Sequence, residues 1–281
     1  MKKVATLIVI LPLALITLTA YGMRAVHSYG TLAIQPSLID QKPRGDELTE
    51  EFHQTYQLSP SGRVTIANIN GDVRINVWDQ NSVKVDAVKR AYSQERLSEM
   101  TIDVDAAADS VRIRTKYPDR QTYRGRDGED SAGSVEYTLT VPRRATLEGA
   151  ELVNGSLDIE GIEGDVHASL VNGAVRATGL SGEVKLATVN GRLDVNLAGM
   201  ENSKNINLSS VNGSIVLRVP GGANADVKAS TVHGAITNDF GFAVEDGQYV
   251  GHNMSGQIGS GGARVRLNNV NGSIAVKRGA V

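Results

Sequence analysis

The 281-residue chain contains no cysteine, which excludes disulfides, thiolate catalysis, thiolate metal sites and lipidation of an N-terminal cysteine. Stability must therefore come from packing and backbone pairing. Bulky aromatics are scarce too, with one tryptophan and three phenylalanines, so Val, Ile, Leu and Ala have to fill the core. That composition favours thin β layers over a bulky aromatic interior. Excess positive charge is also missing. The formal net charge is −2, without the basic footprint that nucleic-acid binding needs.

Several catalytic patterns are absent as well. No Gly-x-Ser-x-Gly elbow accompanies a histidine and an acid, and no Gly-x-x-x-x-Gly-Lys-Ser/Thr phosphate loop occurs. The five histidines, His27, His53, His167, His233 and His252, have no metal-ligand spacing and read as surface residues. Asp158, Glu160, Glu163 and Asp165 are dense, but corner and strand phases place them on different sides, so they read as a solvated acidic surface. A calcium-binding nonapeptide repeat would put an aspartate two residues after glycine, where this chain puts an apolar residue. No catalytic residue, metal or cofactor is assigned.

Hydrophobic residues make up 41% of the chain, enough for a sizeable core. Lys2 and Lys3 precede an uncharged stretch from Val4 to Met23, which reads as an export segment. It is either a cleaved signal, with small residues at Ala20 and Gly22, or an anchor of about 20 residues, the length that spans a bilayer. Residues 1–23 are assigned to this segment and 24–51 to a linker holding Pro36, Pro43 and Gly45. Arg44-Gly45-Asp46 within it is read as a coincidence of common residues.

Glycines recur at 155, 164, 173, 182 and 191, nine residues apart. Two positions after them stand Leu157, Val166, Val175, Val184 and Leu193; two before stand Val153, Ile162, Val171, Leu180 and Val189. This alternation predicts short strands with one apolar face turned inward. Such units cannot bury that face alone and must stack. The expected fold is therefore all-β, a parallel β-solenoid of nine-residue units, about 18 residues per coil.

Corners alternate in kind, Asn-Gly recurring every 18 residues with Glu163-Gly164 and Ser181-Gly182 between. The glycines are expected there because a corner needs positive φ, which asparagine also tolerates. The predicted corner positions are Asn70, Gly71, Asn154, Gly155, Asn172, Gly173, Asn190, Gly191, Asn212, Gly213, Asn271 and Gly272. Stacked, their amides would hydrogen-bond one another along the coil, a structural role preferred here to a glycan-binding row. Trp78 and Tyr92 are weak candidates for a sugar platform, with Trp78 expected to cover an early coil. Asp158, Arg176 and Asp194 would become vertical neighbours of opposite charge.

Residues 146–278 read as regular solenoid and 52–145 as an N-terminal β section, with strands near Val83–Val88, Ile102–Val104, Val111–Thr115 and Val135–Val141 and a short helix near Ser93–Met100. Residues 118–133 read as a charged loop, and Asp239 to Gly262 as a glycine-rich excursion.

The run from Gly62-Arg63-Val64 through Asn70-Gly71-Asp72-Val73 to Val77-Trp78-Asp79, the Val-Asn-Gly units, Val219-Pro220-Gly221 and the Gly261 to Gly272 ending together resemble the DUF4097 family, whose members carry an adhesin label. The resemblance covers residues 52–278, with His233 standing where the pattern carries asparagine. It implies an exported or membrane-tethered β-repeat domain with no catalytic residues to carry over. Three functions follow in order: a binding, adhesin-like or scaffolding module that contacts an envelope protein or surface polymer; a regulatory partner in envelope stress sensing; and, last, a polysaccharide-active enzyme.

Overall fold

The structure, a computed structural model, describes residues 47–117, 133–200, 205–247 and 250–279. The export segment, the linker up to residue 46 and the charged loop at 118–132 lie outside those residues. Among the described residues no helix is long and apolar enough to cross a membrane.

The first elements are β1 (Leu48–Gln57), β2 (Arg63–Asn70), β3 (Val73–Trp78) and β4 (Ser82–Ala91), then the helix α1 (Gln94–Glu99), β5 (Thr101–Ala107), β6 (Ser110–Lys116) and β7 (Ser134–Pro142). β1 opens at Leu48, inside the stretch read as linker, because its ten residues pair antiparallel along the whole of β4. Ser93 caps α1, its hydroxyl accepting from the Arg96 amide. The buried Lys89 ammonium closes the other end, donating to the carbonyls of Leu97 (3.2 Å) and Met100 (3.1 Å) and pairing with Glu50 at 2.6 Å.

Next come β8 (Thr146–Asn154), β9 (Leu157–Glu160), β10 (Val166–Asn172), β11 (Val175–Leu180), β12 (Val184–Asn190), β13 (Leu193–Leu197), β14 (Asn205–Asn212) and β15 (Ile215–Val219). They alternate between two sheets, one of ten strands and one of eleven, with parallel neighbours throughout. Val175 lies between Leu157 and Leu193 in register, and all three are buried at 1% exposure or less. In the other sheet Val166 pairs with Val184, and Val184 with Ile206. These are stacked parallel strands, not the antiparallel hairpins that Asn-Gly pairs also favour. The core is one continuous cluster of Val, Leu, Ile and Ala between the sheets.

The section at 52–145 continues both sheets. β2 pairs with β8 and β3 with β9, so this early unit is stacked directly on the main run. Beyond it β7, β4 and β1 extend the ten-stranded sheet, and β6 and β5 the eleven-stranded one.

The last elements are β16 (Ala225–His233), β17 (Ile236–Asn238), β18 (Val244–Asp246), β19 (His252–Ile258), β20 (Ala263–Asn271) and β21 (Ile274–Arg278). Their order departs from the regular coil expected for 146–278. β20 inserts between β14 and β16, and β21 between β15 and β17, so the chain's final coil is an interior rung. The excursion read at Asp239–Gly262 contains ordered strands, with β19 antiparallel to β16 and β18 antiparallel to β19.

Candidate functional site

The Asn-Gly corners line up along one border of the eleven-stranded sheet, and their side chains form a single hydrogen-bonded file. Asn154 Nδ2 donates to Asn70 Oδ1 at 2.9 Å, Asn172 to Asn154 at 2.9 Å and Asn190 to Asn172 at 2.9 Å. Asn212 donates to Asn190 at 2.8 Å, and Asn271 to Asn212 at 2.8 Å. Asn70 ends the file on the carbonyl of Gly133 at 3.2 Å, and His233 stands beside Asn271 at the other end.

The glycines are required by approach as well as by φ. A Cβ on Gly173 would land on the carbonyl of Gly155, one on Gly191 on that of Gly173, and one on Gly272 on that of Gly213. Gly191 does this without a positive φ, as do Gly164 against Ala145 and Gly182 against Gly164. The left-handed corner expected from the sequence is present at Gly71, Gly155, Gly173, Gly213 and Gly272 but not at Gly191, and a steric requirement adds to it: the neighbouring rung's carbonyl occupies the space. Buried polar side chains bond these same carbonyls from the inside, Thr188 Oγ1 to Gly173 at 3.4 Å, Asn269 Nδ2 to Gly213 at 2.6 Å and Thr231 Oγ1 to Gly272 at 3.0 Å. Asn68 Nδ2 does likewise to Gly71 at 3.1 Å and Val135 at 2.8 Å, and accepts at Oδ1 from Tyr117. Burial pushes the Tyr117 phenol up to about 12 and that of Tyr137, bonded to Thr115, higher still, so both are neutral hydrogen-bonding struts.

The outer face beside this file is where inward packing was expected and is not found. Val153, Val171 and Val189 are exposed at 38%, 41% and 36%, whereas Ile162 and Leu180, in the same phase before the other glycines, are buried. Ile69, Val270 and Val232 are exposed likewise, and Val211 is half-buried. In stacking order, Ile69, Val153, Val171, Val189, Val211, Val270 and Val232 form an aliphatic ridge one residue from the asparagine file. At about 4.8 Å per strand, this ridge runs for about 29 Å.

Behind the ridge runs a row of smaller side chains, polar at Ser169, Ser209, Asn268 and Ser230 and a methyl at Ala187, and behind that His167, Lys185, Asn207, Arg266 and Lys228. His167, read from the sequence as a surface residue, stands beside Lys185 in register. The rest of the row was missed, because β20 is not β14's neighbour in sequence.

On the opposite face of the molecule, Arg74, Asp158, Arg176 and Asp194 are consecutive partners in register. The ion pairs of Asp194, however, are to Arg218 and to Arg192, the latter at 3.0 Å. Asp158 and Glu160 share this outer face instead of lying on different sides, in a shallow depression flanked by Arg74 and Arg176. Trp78 donates its indole N–H to the Ser82 carbonyl at 2.7 Å, and Tyr92 is exposed.

Three solved structures share similarity over most of their length. A "putative cell adhesion protein" from Clostridium sporogenes is 14% identical with a TM-score of 0.49, covering 82% of this chain and 100% of its own. A "putative adhesin" from Bacteroides fragilis is 11% identical with a TM-score of 0.38, covering 82% and 97%. A "putative lipid binding protein" from Parabacteroides distasonis is 10% identical with a TM-score of 0.28, covering 84% and 98%. No curated protein matches the sequence. The Toastrack DUF4097 family matches residues 61–277, over half of the chain, and this protein therefore belongs to that family.

Proposed function

We propose that this chain is an exported, non-enzymatic binding module of the cell envelope, a solenoid of about 18-residue coils that presents the outer face of its eleven-stranded sheet to a surface polymer. The observation that carries the reading is the aliphatic ridge: exposed Val and Ile side chains held in step over successive rungs, beside a rigid file of amides. Contiguous apolar surface of this kind marks interaction sites more often than it marks ordinary solvent-facing sheet. Strands opening at Leu157, Val166, Val175, Val184 and Leu193, alternately in the two sheets, support the coil of paired nonapeptides. Lys2 and Lys3 ahead of the uncharged stretch from Val4 to Met23 support export. Asp158 and Glu160 lie on an open sheet face without a cleft, which suits a surface role better than glycoside hydrolysis.

The test is cosedimentation of the purified protein with intact cells and with isolated envelope polymers. Wild type is expected to sediment with the polymer fraction, and the double variant Val171→Asp/Val189→Asp to remain in solution while keeping its wild-type urea midpoint. Equal binding by the variant would remove the ridge from the account. Crosslinking in the envelope to a protein, with no polymer bound, would favour the regulatory role.

A further inference from the structure

We infer that the binding face is built for a linear acidic polysaccharide, a sugar chain carrying carboxylates, laid across the strands from β12 to β16. The inference rests on the reading of this face as the binding surface and adds the class of its ligand.

Charge on the outer face of the eleven-stranded sheet is unevenly distributed. At its β5–β6 end the cations are matched: Lys116 pairs with Asp103 at 2.9 Å, and Arg112 stands opposite Asp105 in register. At the other end Lys185, Arg266 and Lys228 are exposed and, among the described residues, have no ion-pair partner. They lie on one row, Lys185 next to Asn207, Asn207 next to Arg266, and Arg266 next to Lys228. The strand spacing puts Lys185 about 10 Å from Arg266 and Arg266 about 5 Å from Lys228. The acids nearby are Asp226, which faces Arg264 in register, Glu183, which accepts from Asn205 at 2.9 Å, and Glu245 at the outer strand. None of them lies on the cationic row.

Three ordered rows therefore face a ligand together: cations, then hydroxyls and amides (Ser209, Asn268, Ser230), then the aliphatic ridge. A sugar polymer with carboxylates meets all three, through its anionic groups, its hydroxyls and the apolar faces of its rings. A neutral glycan would be held poorly, since sugar sites without charge rely on aromatic platforms and these rows contain no aromatic side chain. A polyphosphate would use only the cations. The shallow depression of about 420 Å³ lined by Lys228, Arg266, Asn268, Ser255 and Glu245, two cations to one carboxylate, gives the polymer a seat at the β16 end.

Affinity electrophoresis of the full chain through gels containing polygalacturonate, dextran or polyphosphate tests this. Polygalacturonate is expected to retard the protein, less so as salt rises, with little effect from dextran and weaker retardation by polyphosphate. Lys185→Gln/Arg266→Gln/Lys228→Gln should weaken retardation by about tenfold or more. The charge-matched control Arg74→Gln/Arg176→Gln/Lys277→Gln, on the other sheet, should stay near wild type. Equal losses in both triple variants, equal retardation by polyphosphate, or no retardation by polygalacturonate would each overturn the inference. If envelope polymers still bound and Val171→Asp/Val189→Asp abolished that binding, only the ligand class would have failed. If nothing bound through the ridge, the proposed function itself would fall.

Discussion

Each corner glycine sits where one rung's backbone nearly touches the next, so substitution there is resisted by space. Gly173→Ala pushes a methyl into the Gly155 carbonyl and should cost about 1–3 kcal/mol or more, read as a lowered urea midpoint. Gly149→Ala is the matched control, since its Cβ would meet only the Thr65 methyl at 3.8 Å, ordinary contact. It should be neutral or raise stability by up to about 1 kcal/mol, as alanine is less costly than glycine in regular structure. The asparagine file makes a graded prediction. Asn172 both donates and accepts within it, while Asn271 only donates, so Asn172→Ala should lose about twice as much, at about 0.5–1.5 kcal/mol per bond.

At the scale of elements, β1 is an edge strand held to β4 partly by titratable groups. His53 bonds Asp86 at 2.7 Å and Glu51 at 3.1 Å, and these bonds raise its pKa above the ordinary imidazole value of 6.5. Burial pushes the Asp86 carboxyl up, but bonds from Lys84 and His53 outweigh it and hold it below its usual range. A raised histidine contributes stability that is complete below the unfolded pKa and is lost as pH rises through the folded one. A lowered aspartate contributes above its unfolded pKa and loses it as pH falls through the folded one. Hydrogen-exchange protection of the β1 amides should thus be greatest between the two folded pKa values and decline on either side; His53→Gln should abolish the decline at the upper side. Lys89→Met removes both carbonyl bonds at the end of α1 and the pair with Glu50, and should lower stability by about 1–3 kcal/mol with loss of protection in the helix.

Part of this level was legible in the sequence: the strands that open at Leu157, Val166, Val175, Val184 and Leu193 and the corner asparagines follow from spacing, whereas β1, β18 and β19, which lack the repeat, were not legible. Nor was the phase at the Asn-Gly corners. The inward residue there lies three before glycine, where Leu152 and Leu170 are joined by Thr188, Ser210 and Asn269. These polar residues look like surface in a sequence, yet they belong inside because each bonds a neighbouring glycine carbonyl. With them discounted, the exposed valines one step later passed for the core row.

For the molecule as a whole, chain order and stacking order part at the C-terminus, where β20 and β21 close a gap between rungs already made. Spacing could not reveal this, since an inserted unit carries the same motif as an appended one. A chain ending at Gly262 would leave β14 and β16 with bare edges; it should lose cooperative unfolding and aggregate, as seen by light scattering. The account as a whole depends on which side of each rung faces out. Since the chain has no cysteine, single variants report on this cleanly by thiol labelling under native conditions. Val171→Cys and Val189→Cys should label at nearly the unfolded rate and be shielded when envelope polymer binds, while Leu170→Cys and Leu180→Cys stay protected throughout. Fast labelling at 170 and 180 with protection at 171 and 189, or no shielding of 171 and 189 by bound polymer, would contradict it.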